Sequence, residues 1–61
     1  MFSVGDLVRI KEARRAPHES DMVFRIVNVN DYTERCYIEL LDSGLPLPPQ
    51  ELVSFDMIEK I

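Results

Sequence analysis

The apolar residues of this chain occur in short runs, and this feature restricts the fold more than any other. Polar stretches that contain glycine, proline, asparagine or aspartate separate the runs. Within the runs, valine, isoleucine and aromatic residues alternate with polar residues, which is typical of half-buried β-strands. No run is long enough to form a regular amphipathic helix. The sequence therefore predicts an all-β fold.

The alternation predicts five strands and one 3₁₀ turn. The predicted strands cover residues 7–11, 22–29, 35–41, 51–54 and 58–61, and the 3₁₀ turn covers residues 55–57. The second strand is apolar on both faces over much of its length, as expected for a strand that bends and contributes to both halves of a small core. Residues 12–21 contain no large apolar side chain, so we predict a solvated loop there.

The same alternation predicts which side chains form the core. Residues 8 and 10 of the first strand should face inward together, as should residues 36, 38 and 40 of the third. Ile58 and Ile61 are predicted to close the core from the last strand. The aromatic residues that we expect in the core are Phe2, Phe24 and Phe55.

Chain length limits what the protein can do. Sixty-one residues provide one small domain, residues 1–61, which buries only about 60% of the surface that its unfolded chain exposes. A single cysteine excludes an internal disulfide framework and fits a reducing compartment. Residues 1–6 lack the features of a signal peptide, and no stretch approaches the roughly 20 apolar residues that span a bilayer. We therefore expect a cytoplasmic protein that does not insert into membranes.

Charge is distributed unevenly along the chain. The formal net charge is −4 and the sequence pI is about 4.7. Residues 1–30 carry five basic and four acidic side chains, whereas residues 31–61 carry two basic and seven acidic ones. Proteins that bind duplex nucleic acid usually have a basic surface and a high pI, so this balance disfavours that class. A local basic patch can still bind an anionic partner.

The order of the predicted elements resembles that of the SH3-like small barrels. Residues 4–10, Val-Gly-Asp-Leu-Val-Arg-Ile, resemble the opening phrase of the KOW-type members found in ribosomal proteins and transcription elongation factors. The strand, 3₁₀ turn and strand over residues 52–61 are similar to the elements that close such barrels. The resemblance implies a single five-stranded SH3-like barrel with one 3₁₀ turn before the last strand.

The functions of those families are not implied as clearly as the fold. The lysine-rich loop of the ribosomal members is reduced here to three basic residues, Lys11, Arg14 and Arg15, with Glu12 among them. The chain has no tryptophan and no Ala-Leu-Tyr-Asp-Tyr-like phrase, both of which belong to the SH3 domains that bind proline-rich peptides. The resemblance therefore implies a fold without choosing a ligand.

No set of residues in the sequence points to catalysis. His18 lies in a polar loop without a visible partner that would make it a base or a metal ligand. Cys36 is predicted to be a small core residue, because alternation directs the neighbouring Arg35 to the other face. Pairs of carboxylates such as Glu19 and Asp21 lack the spacing of a calcium loop. We therefore predict no catalytic residue, metal site or cofactor, and a protein that is not an enzyme.

The residues predicted to bind a partner are basic or aromatic. They are Arg9, Lys11, Arg14, Arg15, Tyr32 and Tyr37. The favoured hypothesis is a small non-enzymatic interaction module that binds a protein, or acts as an accessory subunit of a larger assembly, through the 11–21 loop and the adjacent hairpin. The alternative is a KOW-type barrel that binds nucleic acid through the same residues. The sequence leaves open whether the loop is only solvated and whether the chain is a monomer or a homodimer.

Overall fold

The computed structural model describes residues 1–14, 22–42 and 44–61. Five strands are present: β1 (Leu7–Ile10), β2 (Phe24–Asn30), β3 (Arg35–Leu40), β4 (Gln50–Ser54) and β5 (Ile58–Lys60). Two 3₁₀ turns, η1 (Glu12–Arg14) and η2 (Phe55–Met57), accompany them, and the described ranges contain no α-helix. The prediction of an all-β fold with a 3₁₀ turn directly before the last strand is confirmed.

The five strands form one antiparallel sheet in the order β4-β3-β2-β1-β5. Strands β1, β2 and β3 each pair with the next strand in sequence, whereas β5 returns to pair with β1. β4 and β5 are therefore the two edge strands of an open sheet. The turn η2 connects them directly, because it lies between Ser54 at the end of β4 and Ile58 at the start of β5.

A β-bulge in β2 explains why this strand is apolar on both faces. β2 pairs Ile26 with Ile38 of β3. The next pair joins Asn28 to Tyr37, so Val27 is an extra residue on β2. Before the bulge, the even-numbered residues Phe24 and Ile26 are buried. After it, the odd-numbered Val29 is more buried than its neighbours Asn28 and Asn30. A bulge bends and twists its strand, so β2 contributes apolar side chains to the core on either side of the bend.

The core lies on one face of the sheet and agrees with the predicted alternation. The buried apolar residues are Val8, Ile10, Phe24, Ile26, Cys36, Ile38, Val53 and Ile58. Phe2 and Phe55 are partly buried against this cluster, with ring centroids 5.2 Å apart. The prediction for Ile61 is wrong, because its side chain is 67% exposed. Only its backbone is engaged, through an amide that donates to the carbonyl of Leu7 at 3.1 Å.

The first part of the predicted 12–21 loop is the turn η1. All three residues of η1 are exposed, and the amide of Arg14 donates to the carbonyl of Lys11 at 2.8 Å. The short turn contains no buried side chain, as expected for a segment without large apolar residues. Residues 15–21, which include His18 and Arg15, lie outside the described residues.

The thiol of Cys36 provides a test of the core. Cys36 is 1% exposed, and burial raises the pKa of its thiol because the charged thiolate loses its hydration. We expect the native protein to react with a thiol reagent such as DTNB at least tenfold more slowly than the urea-unfolded protein at the same pH. The measurement is the absorbance time course with and without denaturant. Equal rates would show that Cys36 is accessible and that the β3–β4 region of the core is open.

Candidate interaction surface

Arg9, the first of the predicted basic residues, is neutralised within the sheet. It lies on β1 opposite Glu59 of β5. Its Nε donates to Oε2 of Glu59 at 2.8 Å, and its Nη2 lies 2.7 Å from the same oxygen. The two side chains stay 49% and 38% exposed. A partly exposed pair of this kind contributes little to stability, but it leaves Arg9 less available to an external anion.

Lys11 and Arg14 lie beside η2. The amide of Lys11 donates to the carbonyl of Met57 at 2.9 Å, which fixes the end of β1 against this turn. Nη2 of Arg14 lies 3.8 Å from Oδ2 of Asp56. Lys11 forms no ion pair within residues 1–14, 22–42 and 44–61. The position of Arg15, the fourth predicted basic residue, lies outside the described residues.

The β2–β3 hairpin reaches the other side of the same turn. The amide of Phe55 donates to the carbonyl of Glu34 at 2.9 Å. The start of the basic loop and the end of the hairpin are thus both hydrogen-bonded to η2, although they are distant in sequence. We call the residues around this junction, Lys11, Arg14, Glu34 and Asp56, the η2 surface.

Two hydrogen bonds from backbone amides to one side chain fix the hairpin turn that carries Tyr32. Oδ1 of Asn30 accepts from the amides of Tyr32 and Thr33 at 3.0 and 3.2 Å, an Asx arrangement that favours a tight turn. Glu34 completes the turn with a φ of 55°, in the left-handed region. The side chain of Tyr32 is fully exposed at the tip. An exposed aromatic on a rigid turn is available to a partner.

Tyr37 lies on the face of the sheet opposite the core. It lies on β3, opposite Asn28 of β2 on one side and Leu52 of β4 on the other. Tyr37 and Leu52 are about half exposed. They border a shallow cleft of about 270 Å³. The lining residues are Asn28, Asn30, Thr33, Arg35, Cys36, Tyr37 and Leu52. The structure therefore places Tyr37 away from β1 and β5, with β2 between it and Arg9.

Asp56 is held in its charged form by its neighbours. The hydroxyl of Ser54 donates to Oδ1 of Asp56 at 2.6 Å, and this bond does most to keep the pKa of the carboxyl below its usual 3.8. Desolvation, the next largest effect, raises the pKa, whereas weaker attractions to Arg14 and Lys11 lower it further. The η2 surface thus carries two cations next to a carboxylate that stays ionised into acid.

The depressed pKa of Asp56 predicts a pH-dependent contribution to stability. Because its folded pKa lies below its unfolded value, Asp56 stabilises the fold above about pH 4, and this contribution is lost as the pH falls through the folded pKa. The Asp56→Asn variant should therefore lose less stability than the wild type between pH 5 and pH 2. Thermal melting across this range measures the difference. Asp31→Asn, on the exposed hairpin turn, is the control and should melt in parallel with the wild type.

Sequence reasoning missed several residues of these two surfaces. Asp56 and Glu34 join the η2 surface through contacts between distant parts of the chain, which alternation does not reveal. Leu52 and Arg35 of the cleft could have been noticed, because both occupy the outward positions of predicted strands. A leucine at an outward strand position is the signal that the sequence offered for this cleft.

Neither a metal centre nor a membrane span is found in the described ranges. Among these residues, no three histidine, cysteine, aspartate or glutamate side chains converge in a way that could hold a metal ion. No helix of the described part is long and apolar enough to cross a bilayer.

Comparisons with known proteins do not assign this chain to a family. Protein-family models, curated proteins and solved structures were each compared with it, and none matches. Any function proposed for the η2 surface or the cleft therefore has to follow from their own residues and charges.

Proposed function

We propose that this chain is a non-enzymatic interaction module that binds a protein, or a subunit of a larger assembly, through the η2 surface and the basic segment that continues it to Arg15. The observation that carries the proposal is the junction at η2. Two backbone hydrogen bonds, from Lys11 to Met57 and from Phe55 to Glu34, hold the start of the basic loop and the hairpin against one turn. Recognition residues commonly lie on loops that a rigid scaffold positions in this way.

The mixed charge of the η2 surface favours a protein partner. Lys11 and Arg14 lie next to Asp56, so cations and an anion are presented side by side. A surface that carries both positive and negative charges can complement the mixed charges of another protein surface. Such complementarity gives a protein complex its specificity and fixes its register. A free thiol at Cys36 suits a reducing compartment, and we place the protein in the cytoplasm on that basis.

We also propose that the sheet closes into an SH3-like barrel. The bulge in β2 bends the sheet, and η2 spans from the β4 edge to the β5 edge. The hydrogen bonds from Phe55 to Glu34 and from Lys11 to Met57 hold η2 against the β2–β3 hairpin and the end of β1. A bent sheet whose edge strands are joined by a short turn supports this geometry, in which η2 brings the ends of β4 and β5 together while the outer edge of β4 stays unpaired.

Nucleic-acid binding of the KOW type is the weaker candidate. Of its predicted phosphate-binding residues, Arg9 is paired with Glu59 and Arg14 lies near Asp56. The acidic net charge opposes accumulation of phosphate around the protein. Lys11 and the exposed Tyr32 are the features that support this candidate.

Reversal of the two adjacent arginines tests the proposed surface. The Arg14→Glu/Arg15→Glu variant should retain at least tenfold less of the wild-type partner from a lysate of the source cells, because both local cations become anions. Its thermal stability should change by no more than about 0.5 kcal/mol, since the Arg14–Asp56 pair is exposed. Quantitative mass spectrometry of the captured proteins and thermal melting are the two measurements.

The control for this experiment is Lys60→Glu, which makes the same type of charge change on β5, where Lys60 pairs with Asp6 and lies outside both the η2 surface and the cleft. It should retain the partner as the wild type does. Unchanged retention by the double variant would exclude the η2 surface as the interface. Binding of labelled single-stranded RNA that falls linearly on a logarithmic scale with salt between about 50 and 200 mM would favour the nucleic-acid candidate instead.

A further inference from the structure

β4 is an edge strand that is less protected against further pairing than β5. It pairs with β3 on one side, and within the described residues its other side has no strand partner. Natural edge strands are commonly kept short or carry lysine, proline or inward-facing charges. β5 fits this description with three residues, two of them charged, whereas β4 has five residues and a single inward-facing charge, Glu51. β4 is therefore the edge that is open to strand addition.

Arg35 provides a specific charge next to this edge. Four of the described basic side chains form ion pairs, namely Arg9, Arg14, Arg25 and Lys60. Arg35 forms none within the described ranges and is exposed. It is the single charged residue that lines the Tyr37–Leu52 cleft. An exposed guanidinium beside an aromatic ring, a leucine and two asparagines is a site that can bind a carboxylate.

We propose that an extended acidic peptide segment of a partner protein adds to β4 as a sixth strand, with a carboxylate bound by Arg35 and an aliphatic side chain packed on Leu52 and Tyr37. This site borders the η2 surface, because Ser54 donates to Asp56, but it uses different residues and does not depend on a partner bound there. Backbone hydrogen bonds along the β4 edge would supply affinity, and the cleft would select the side chains.

The strand register fixes the spacing of the two recognised side chains. Ser54 lies opposite Arg35, and Leu52 lies opposite Tyr37, so these rows are two residues apart on the same face. A sixth strand thus places one residue beside Leu52 and the next outward residue beside Ser54. That second residue is two strand spacings, about 9.6 Å, from the Arg35 backbone, which an arginine and a glutamate side chain together can span. The expected motif is an aliphatic and an acidic residue separated by one position.

A second copy of this chain does not satisfy the same site. The outward residues of β4 are Gln50, Leu52 and Ser54, and none of them is charged. Antiparallel pairing of two β4 strands with their outer faces aligned therefore brings no carboxylate to Arg35. Charge complementarity thus favours an acidic segment of another protein.

The test uses two capped seven-residue peptides that differ at one position. Both alternate valine and threonine and contain one leucine, and the residue two positions from the leucine is glutamate in one and lysine in the other. Titration into the ¹⁵N-labelled full chain should shift the amide resonances of β4. The glutamate peptide should bind at least tenfold more tightly than the lysine peptide. In the Arg35→Glu variant this preference should be reversed.

Two further variants test whether recognition depends on Arg35 and Leu52 in the way proposed. Arg14→Glu changes the same charge at the η2 surface and should leave both dissociation constants unchanged. Leu52→Ser should weaken both peptides while it retains the preference for glutamate. Equal affinity of the two peptides, shifts that avoid β4, or no shift at millimolar peptide would overturn the proposal. The proposal would also be overturned if an oligothymidine bound more tightly than the glutamate peptide and the Arg35→Glu variant did not bind it. The cleft would then recognise phosphate.

Discussion

Deletion of residues 58–61 should leave the chain largely unfolded at 25 °C. Ile58 is 1% exposed, and complete burial of an isoleucine contributes up to about 3 kcal/mol. The deletion also removes β5, whose pairing with β1 covers one edge of the strand that carries Val8 and Ile10. A small domain has roughly 5 kcal/mol of total stability, so the combined loss should exceed it. The dispersion of the amide proton resonances is the measurement.

The matched control is deletion of Ile61 alone. Its side chain is 67% exposed, and only its amide is engaged, with the carbonyl of Leu7. Loss of one such hydrogen bond costs about 1 kcal/mol, so this variant should stay folded. A folded protein after the longer deletion would show that β5 is dispensable for the core. An unfolded protein after loss of Ile61 would show that the chain end contributes more than its exposure indicates.

The strands could be predicted because their information is local. Alternation and turn residues placed β3 and β4 to within one residue of their observed ends. The bulge at Val27 was visible only as an apolar pattern on both faces, because the extra residue is defined by the partner strand. Ile61 was misplaced for a related reason. Its apolar character suggested burial, but the strand ends at Lys60 and no second layer covers the side chain.

The candidate surfaces were less predictable because they depend on distant contacts. Arg9 and Glu59 are 50 residues apart, and their ion pair requires β5 to return beside β1. The sequence identified Arg14 as a cation but could not show that Asp56 lies 3.8 Å away. Burial of Glu39 was also missed, since alternation assigned it to the face opposite the core. It is 8% exposed there, which makes it the most buried charged residue of the described part.

The ion pair of Glu39 with Arg25 carries the second large effect that we expect. Nη2 of Arg25 donates to Oε1 of Glu39 across β2 and β3, where the two residues are directly opposite. The side chain of Glu39 is 10% exposed, whereas that of Arg25 is 51% exposed. Removal of the Arg25 side chain leaves the buried carboxylate of Glu39 without a partner. Removal of the Glu39 charge instead leaves the guanidinium of Arg25, which water can solvate. The two halves of this pair should therefore differ in their effect on stability.

Arg25→Met should destabilise the fold by about 3 kcal/mol, because the buried carboxylate of Glu39 loses its partner while the aliphatic stem is retained. Glu39→Gln should cost only about 1 kcal/mol, since its neutral amide can stay buried beside a solvated guanidinium. Arg25→Met combined with Glu39→Leu should recover most of the stability, because no charge is then left unpaired. Urea unfolding of the wild type, these three variants and Glu39→Leu, which completes the double-mutant cycle, measures the costs, with an unchanged m-value as the check on two-state behaviour. Equal costs for Arg25→Met and Glu39→Gln would contradict this prediction. They would show that water reaches the carboxylate of Glu39 in solution.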